Sequence, residues 1–271
     1  MSNPSSLRVR PAAVAGAFYP GTRGSLAATV HSLLDGADVA VAPNSVAHLR
    51  ALIVPHAGFA YSGPIAASAY RQIDPNRVRR VLLLGPSHRS PLFGLGVTSA
   101  DVFATPLGPV TVDAEARRVI LDRGLAAVDD RAHVLEHSLE VQLPFLQQVL
   151  PGVPVLPVAV GPAPAETVAD AIDALWDAST LVVVSSDLSH YESYPSARRH
   201  DARTAGSILA LASEAIDDHD ACGSFAVRGL LLAARRLALA ARVVDLRSSG
   251  DTAGDRNRVV GYGAFAVQEA A

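Results

Sequence analysis

The 271-residue sequence contains no lysine, so all 23 of its basic residues are arginine. That absence excludes Schiff-base and pyridoxal-phosphate chemistry, which needs a lysine amine, and a Walker loop, which needs a lysine on its phosphates. A single cysteine, Cys222, excludes an internal disulfide framework and suits a reducing compartment. Long apolar runs are also missing. Ala226 to Leu232 and Leu237 to Ala241 are interrupted by Arg228, Arg235 and Arg236, well short of a membrane span, so no membrane partner is expected. The formal charge of -3 is spread along the chain, and Arg79-Arg80 and Arg198-Arg199 are too short to track a phosphate backbone, which argues against nucleic acid. Met1 to Pro11 lacks the apolar core and cleavage site of a secretory signal, and a cytoplasmic location is the expectation. No G-x-S-x-G elbow occurs, and Gly94-Leu95-Gly96 is not followed by a helix start, so neither a serine hydrolase nor a dinucleotide fold is indicated.

What is present reads as one core. Hydrophobic residues make up 49% of the chain, enough for a single sizeable domain over residues 12–271 behind a loosely composed, flexible N-terminal segment over residues 1–11. Apolar runs at Ala51 to Val54, Val78 to Leu84, Val155 to Val160, Leu181 to Ser185 and Val259 to Val267 predict buried strands. Between them, Pro64 to Gln72, Ala114 to Arg123, Leu139 to Val149, Ala165 to Trp176 and Ser196 to Ala212 carry helical spacing. Such alternation predicts an α/β fold of three layers, α/β/α, around a mixed, largely parallel central sheet. Leu95 to Val112, rich in valine, threonine and Gly-Pro turns, predicts an antiparallel hairpin or lid.

In open α/β sheets the ligand crevice lies beyond the carboxyl ends of the strands. Three predicted strands run there into histidine: Pro55-His56-Ala57-Gly58, Gly85-Pro86-Ser87-His88, and Ser185-Ser186-Asp187-Leu188-Ser189-His190. A lone histidine there can simply cap a helix or bond a loop carbonyl. Three of them on strand ends about 5 Å apart per step can converge on one ion, and imidazole suits iron, copper or zinc.

These segments extend to a resemblance over nearly the whole chain. Ala15 to Pro20, the stretch PHAGFAYSG from Pro55 to Gly63, Gly85 to His88, the stretch EHSLEVQLP from Glu136 to Pro144, Ser185 to His190, Cys222-Gly223 and Val260 to Tyr262 follow in order the segments of the Memo family. That family is similar to class III extradiol dioxygenases, whose non-haem iron sits on two histidines and a carboxylate with another histidine as acid/base. The resemblance implies His56 and His88 as ligands of a divalent transition metal, iron(II) first, with copper or zinc as alternatives. Animal members place a cysteine as third ligand where this chain reads Ser248-Ser249-Gly250-Asp251, so Asp251 would complete a two-histidine-one-carboxylate site, although Gly-Asp-Thr-Ala-Gly-Asp is also ordinary turn chemistry. His190 matches the acid/base position, and Asp187 could orient an imidazole or itself bind metal. His137 is expected to orient a ligand or substrate. Tyr61 and Tyr191 either line the cleft or pack as ordinary amphipathic rings. The resemblance also implies a small-molecule or peptide ligand in the cleft. It keeps two other readings open: a non-catalytic, partner-binding protein, as in animal motility or the AmmeMemoRadiSam grouping, and a metal-dependent hydrolase.

Overall fold

The computed structural model describes residues 7–37 and 48–270. In chain order its strands are β1 (Val9–Arg10), β2 (Leu49–Val54), β3 (Arg80–Pro86), β4 (Leu95–Val97), β5 (Val102–Thr105), β6 (Gly108–Thr111), β7 (Ala127–Val128), β8 (Val155–Val160), β9 (Thr180–Ser185), β10 (His190–Glu192), β11 (Leu239–Ser248) and β12 (Val259–Glu269). The expected runs of unbroken apolar residues become β2, β3, β8 and β9, which are covered on both faces: Ile53, Leu83, Ala159 and Val183 are fully buried. β2, β9, β3 and β8 are parallel neighbours at the centre. β12 adds antiparallel to β2 and carries β11, while β4 adds antiparallel to β8, so the sheet is mixed around a parallel core.

The predicted hairpin is there, divided between two sheets. β5 and β6 pair antiparallel in a second, three-stranded sheet, and β4 joins the large one between β8 and β7. The third strand of the small sheet is β1, pairing Val9 with Val102 and Arg10 with Phe103. Within the segment expected to be flexible over residues 1–11, Val9 and Arg10 are therefore held in a sheet. Arg10 is 4% exposed. Its guanidinium pairs with buried Glu140 and donates to the His133, Pro11 and Glu136 carbonyls. A buried cation so fully satisfied ties its backbone down. Residues 1–6 of that segment lie outside the described residues.

Helices flank the sheet in two groups. Phe59–Tyr70 follows β2 directly and packs on β2, β11 and β12, with Arg23–Asp35 and Leu143–Val149 against it. Ala165–Asp173 packs on Ser224–Arg236, which lies on β3 and β9. A Cβ on Gly229 would stand 2.3 Å from Val168 Cγ1, so these two helices approach at a distance that only glycine permits. No described helix is long and apolar enough to cross a membrane. Because β2, β9 and β3 are parallel and adjacent, their carboxyl ends open on one edge of the sheet, and the residues leaving that edge are His56, Asp187 and His88.

Candidate metal centre

Backbone hydrogen bonds set the loops before any side chain acts. Ser186 N–H continues the ladder by donating to Val54 O at 2.8 Å, which holds the ends of β2 and β9 together. From there Asp187, buried, accepts the His56 backbone N–H on Oδ1 at 2.7 Å. Burial pushes the Asp187 carboxyl up, partly opposed by that hydrogen bond and by the charges of His190 and His137. Glu136 grips the other loop. It is buried, and its carboxylate accepts His88 N–H, the His88 ring at 2.9 Å, and the backbone N–H groups of His137 and Ser138, both at 2.9 Å. Burial alone would raise Glu136, but the His88 hydrogen bond and charge and the backbone donors outweigh it and bring the carboxyl to about 2. An ionised carboxylate can only accept, so the His88 ring donates from Nδ1, which leaves Nε2 as the nitrogen turned away from Glu136.

The result is a cluster of three imidazoles. Ring centroids lie 5.3 Å apart for His56 and His88, 5.5 Å for His56 and His137, and 4.9 Å for His88 and His137, the last pair stacked. One ligand nitrogen from each lies within 4.8 Å of the others, which makes the three a group that could hold a metal ion. Nitrogens bound to one ion at ~2.1 Å stand about 3–4 Å apart, so a small inward movement of the rings reaches coordination. Two further observations fit such an ion. Burial, followed by the charges of neighbouring histidines, lowers His56 to about 3 and His137 to about 4, so both rings are neutral near pH 7 and keep a lone pair. The buried Nδ1 of His137 has no hydrogen-bond partner, although Glu136 Oε1 lies 3.3 Å away. Imidazoles of this kind suit zinc, copper or iron. Phe18, from the Ala15 to Pro20 segment, covers His137 with its ring at 4.7 Å.

Of the expected ligands, then, His56 and His88 come together, and the third member is His137, expected only to orient a ligand. Asp251 does not join them. Its Oδ2 accepts Ser248 N–H at 2.9 Å and Ser248 Oγ–H at 3.0 Å in a capping box, and its Oδ1 accepts Tyr194 O–H at 2.5 Å. The turn chemistry of that loop uses the carboxylate that coordination would need. His190 lies exposed on β10, where a register shift against β12 coincides with Tyr191 at φ 61°, a left-handed conformation uncommon for a side chain of that size. It is near enough for its charge to act on both His56 and Asp187. Tyr61 and Tyr191 are exposed.

Cys222, which the sequence shows only as a lone cysteine in one of the matching segments, lies against the cluster. Its Sγ stands 3.4 Å from His56 Nε2 and accepts Asp187 N–H at 3.3 Å, and burial, with Asp187's charge, pushes the thiol well up, so it is protonated. The signal was the glycine beside it. A Cβ on Gly223 would come within 2.8 Å of Ser186 Cβ and 2.9 Å of Ser185 O, so only glycine lets this loop settle on the end of β9.

Comparison with known proteins agrees with this arrangement of segments. Residues 10–266 match the family model for Memo-like protein. A MEMO1 family protein of Aeropyrum pernix is 36% identical, covering 96% of this chain and 100% of its own, and one of Aquifex aeolicus is 37% identical, covering 94% and 98%. Among solved structures, an uncharacterised protein from Escherichia coli K12 superposes with a TM-score of 0.52 at 15% identity, covering 82% of this chain and 100% of its own, a likeness of fold alone. With a family model spanning nearly its whole length and relatives matched end to end, the chain belongs to the Memo family.

Proposed function

We propose that this protein binds one divalent transition metal, iron(II), through His56, His88 and His137, and that the cleft above it carries out dioxygenase-like oxidation of a small molecule. The observation that carries the reading is the convergence of three imidazoles from three separate loops, with their ligand atoms within 4.8 Å. Bound there, iron(II) would supply open positions for oxygen and substrate. The chain's own residues do the rest. Glu136 holds His88 and the backbone of His137 and offsets positive charge from beneath. Asp187 fixes the His56 backbone. His190, exposed on β10, takes a proton from a substrate hydroxyl and returns it.

A second reading has its own support. Three histidines without a carboxylate form the donor set of some catalytic zinc sites, where a bound water is activated for hydrolysis. The two are separated by metal analysis of protein purified without oxygen, followed by oxygen-uptake assays on catechols with iron(II) restored. One equivalent of iron and oxygen consumption are expected. Zinc at one equivalent with ester or amide hydrolysis would replace the first reading with the second, and protein that takes up neither ion would remove both.

A further inference from the structure

Beneath His56 runs a chain of buried hydrogen bonds whose directions are all forced. Ser138 O is a carbonyl and can only accept, so the one proton of Ser185 Oγ, 2.6 Å away, is committed to it. Pro55 O is likewise an acceptor, 3.0 Å from the Gln142 side-chain amide, so that amide must face it with nitrogen. Its other N–H then points at Ser185 Oγ at 2.8 Å, while Gln142 Oε1 receives the Tyr70 hydroxyl at 2.9 Å. Tyr70, Gln142 and Ser185 are all 0% exposed. The same Ser185 Oγ lies 2.9 Å from His56 Nδ1. With its proton already given away, it meets that nitrogen only as an acceptor.

We infer that Ser185, oriented by Gln142 and Tyr70, is a positioning residue that fixes His56 as the Nδ1–H tautomer and turns its Nε2 lone pair toward the shared metal position. The inference rests on the metal-site reading for its purpose, but the tautomer is a property of the metal-free protein. It accounts for polar residues otherwise costly in a core: one imidazole orientation is selected, and the ring is prevented from presenting N–H to a cation. It also assigns the contact on the other side. With its proton on Nδ1, the ring meets the Cys222 thiol, 3.4 Å from Nε2, as the acceptor.

Long-range proton–nitrogen correlation NMR on metal-free protein with labelled histidine reads this directly. His56 is expected to show a pyrrole-type Nδ1 and a pyridine-type Nε2 near neutral pH; an Nε2–H ring in the wild type overturns the inference. Ser185→Ala should shift the ring toward the other tautomer and lower iron(II) or cobalt(II) affinity by about 10- to 100-fold, as loss of such partners commonly does. The nearly isosteric Ser185→Cys, a weaker acceptor, should fall between, and it serves if the alanine variant fails to fold. A folded alanine variant with unchanged tautomer and affinity would remove Ser185 from the role. Wild type with the expected tautomer but no metal uptake would leave the tautomer assignment standing and bring down the proposed function.

Discussion

Two histidine sites in this protein have opposite chemistry. At the sheet edge, His56, His88 and His137 face one another, with burial and neighbouring imidazoles holding His56 and His137 below the usual histidine range. Midway along helix Tyr194–Leu209, His200 stands alone between two carboxylates, Nδ1 at 2.6 Å from Glu192 and Nε2 at 2.7 Å from Asp220. Burial pulls His200 down, but the two carboxylate hydrogen bonds outweigh it, and its titration is raised. The first site keeps lone pairs and has the use of a ligand set. The second has spent both nitrogens as donors and can only clamp β10 to the loop before Cys222.

The largest test of that contrast is to remove one ring from each. His56→Ala is expected to lower metal affinity by at least about 100-fold, beyond the loss typical of outer partners, while His200→Ala leaves stoichiometric uptake unchanged in the same titration. Equal losses would erase the distinction. Next, Glu136→Gln keeps the shape but removes the ionised acceptor that four N–H groups share, and about a 10- to 100-fold weaker affinity is expected by competition with a chelator.

Acid should separate the two sites by sign. His56 and His137 have folded values of about 3 and 4 and, unfolded, one near 6.5, so the unfolded chain binds more protons between those limits. Their contribution is therefore intact above about pH 6.5 and lost progressively as pH falls toward 3; buried His133, also lowered to about 4, adds to it. His200, being raised, contributes fully below about pH 6.5 and loses its contribution as pH rises through its folded value. Urea midpoints across this range should show His200→Asn costing stability at pH 6, by about 1 kcal/mol or less given its partly exposed partners, and progressively less in alkali. A cost that grows with pH would contradict the clamp. The smallest expected effect is at Asp251: Asp251→Asn should cost about 0.5–1 kcal/mol through its cap and leave metal affinity unaltered. A metal defect there would bring back the carboxylate as a ligand.

The comparison also shows which parts were legible in advance. β2, β3, β8, β9 and β12 stood out because fully covered strands read as continuous apolar runs. β11 did not. Arg242, Asp245 and Arg247 interrupt it, because its residues are mostly half-buried beside β12, and the arginines meet Gln72, Gln268 and Asp245. Helix Ser224–Arg236 was visible only as an apolar stretch too short for a membrane. At the site, His56 and His88 could be read because they follow strands directly. His137 follows none; its place depends on Glu136 binding the His88 loop and its own backbone at once, a contact across 48 residues.

The order of residues alone was enough for the parallel α/β layering and for two histidines at the carboxyl edge, since both follow from local periodicity and from where a strand must end. Only the folded chain decided that His137 rather than Asp251 meets them, which nitrogen of His88 faces Glu136, and that Arg10 is anchored rather than loose. Those outcomes turn on buried hydrogen bonds between distant segments. Each donor or acceptor is committed by partners whose proximity no local pattern encodes.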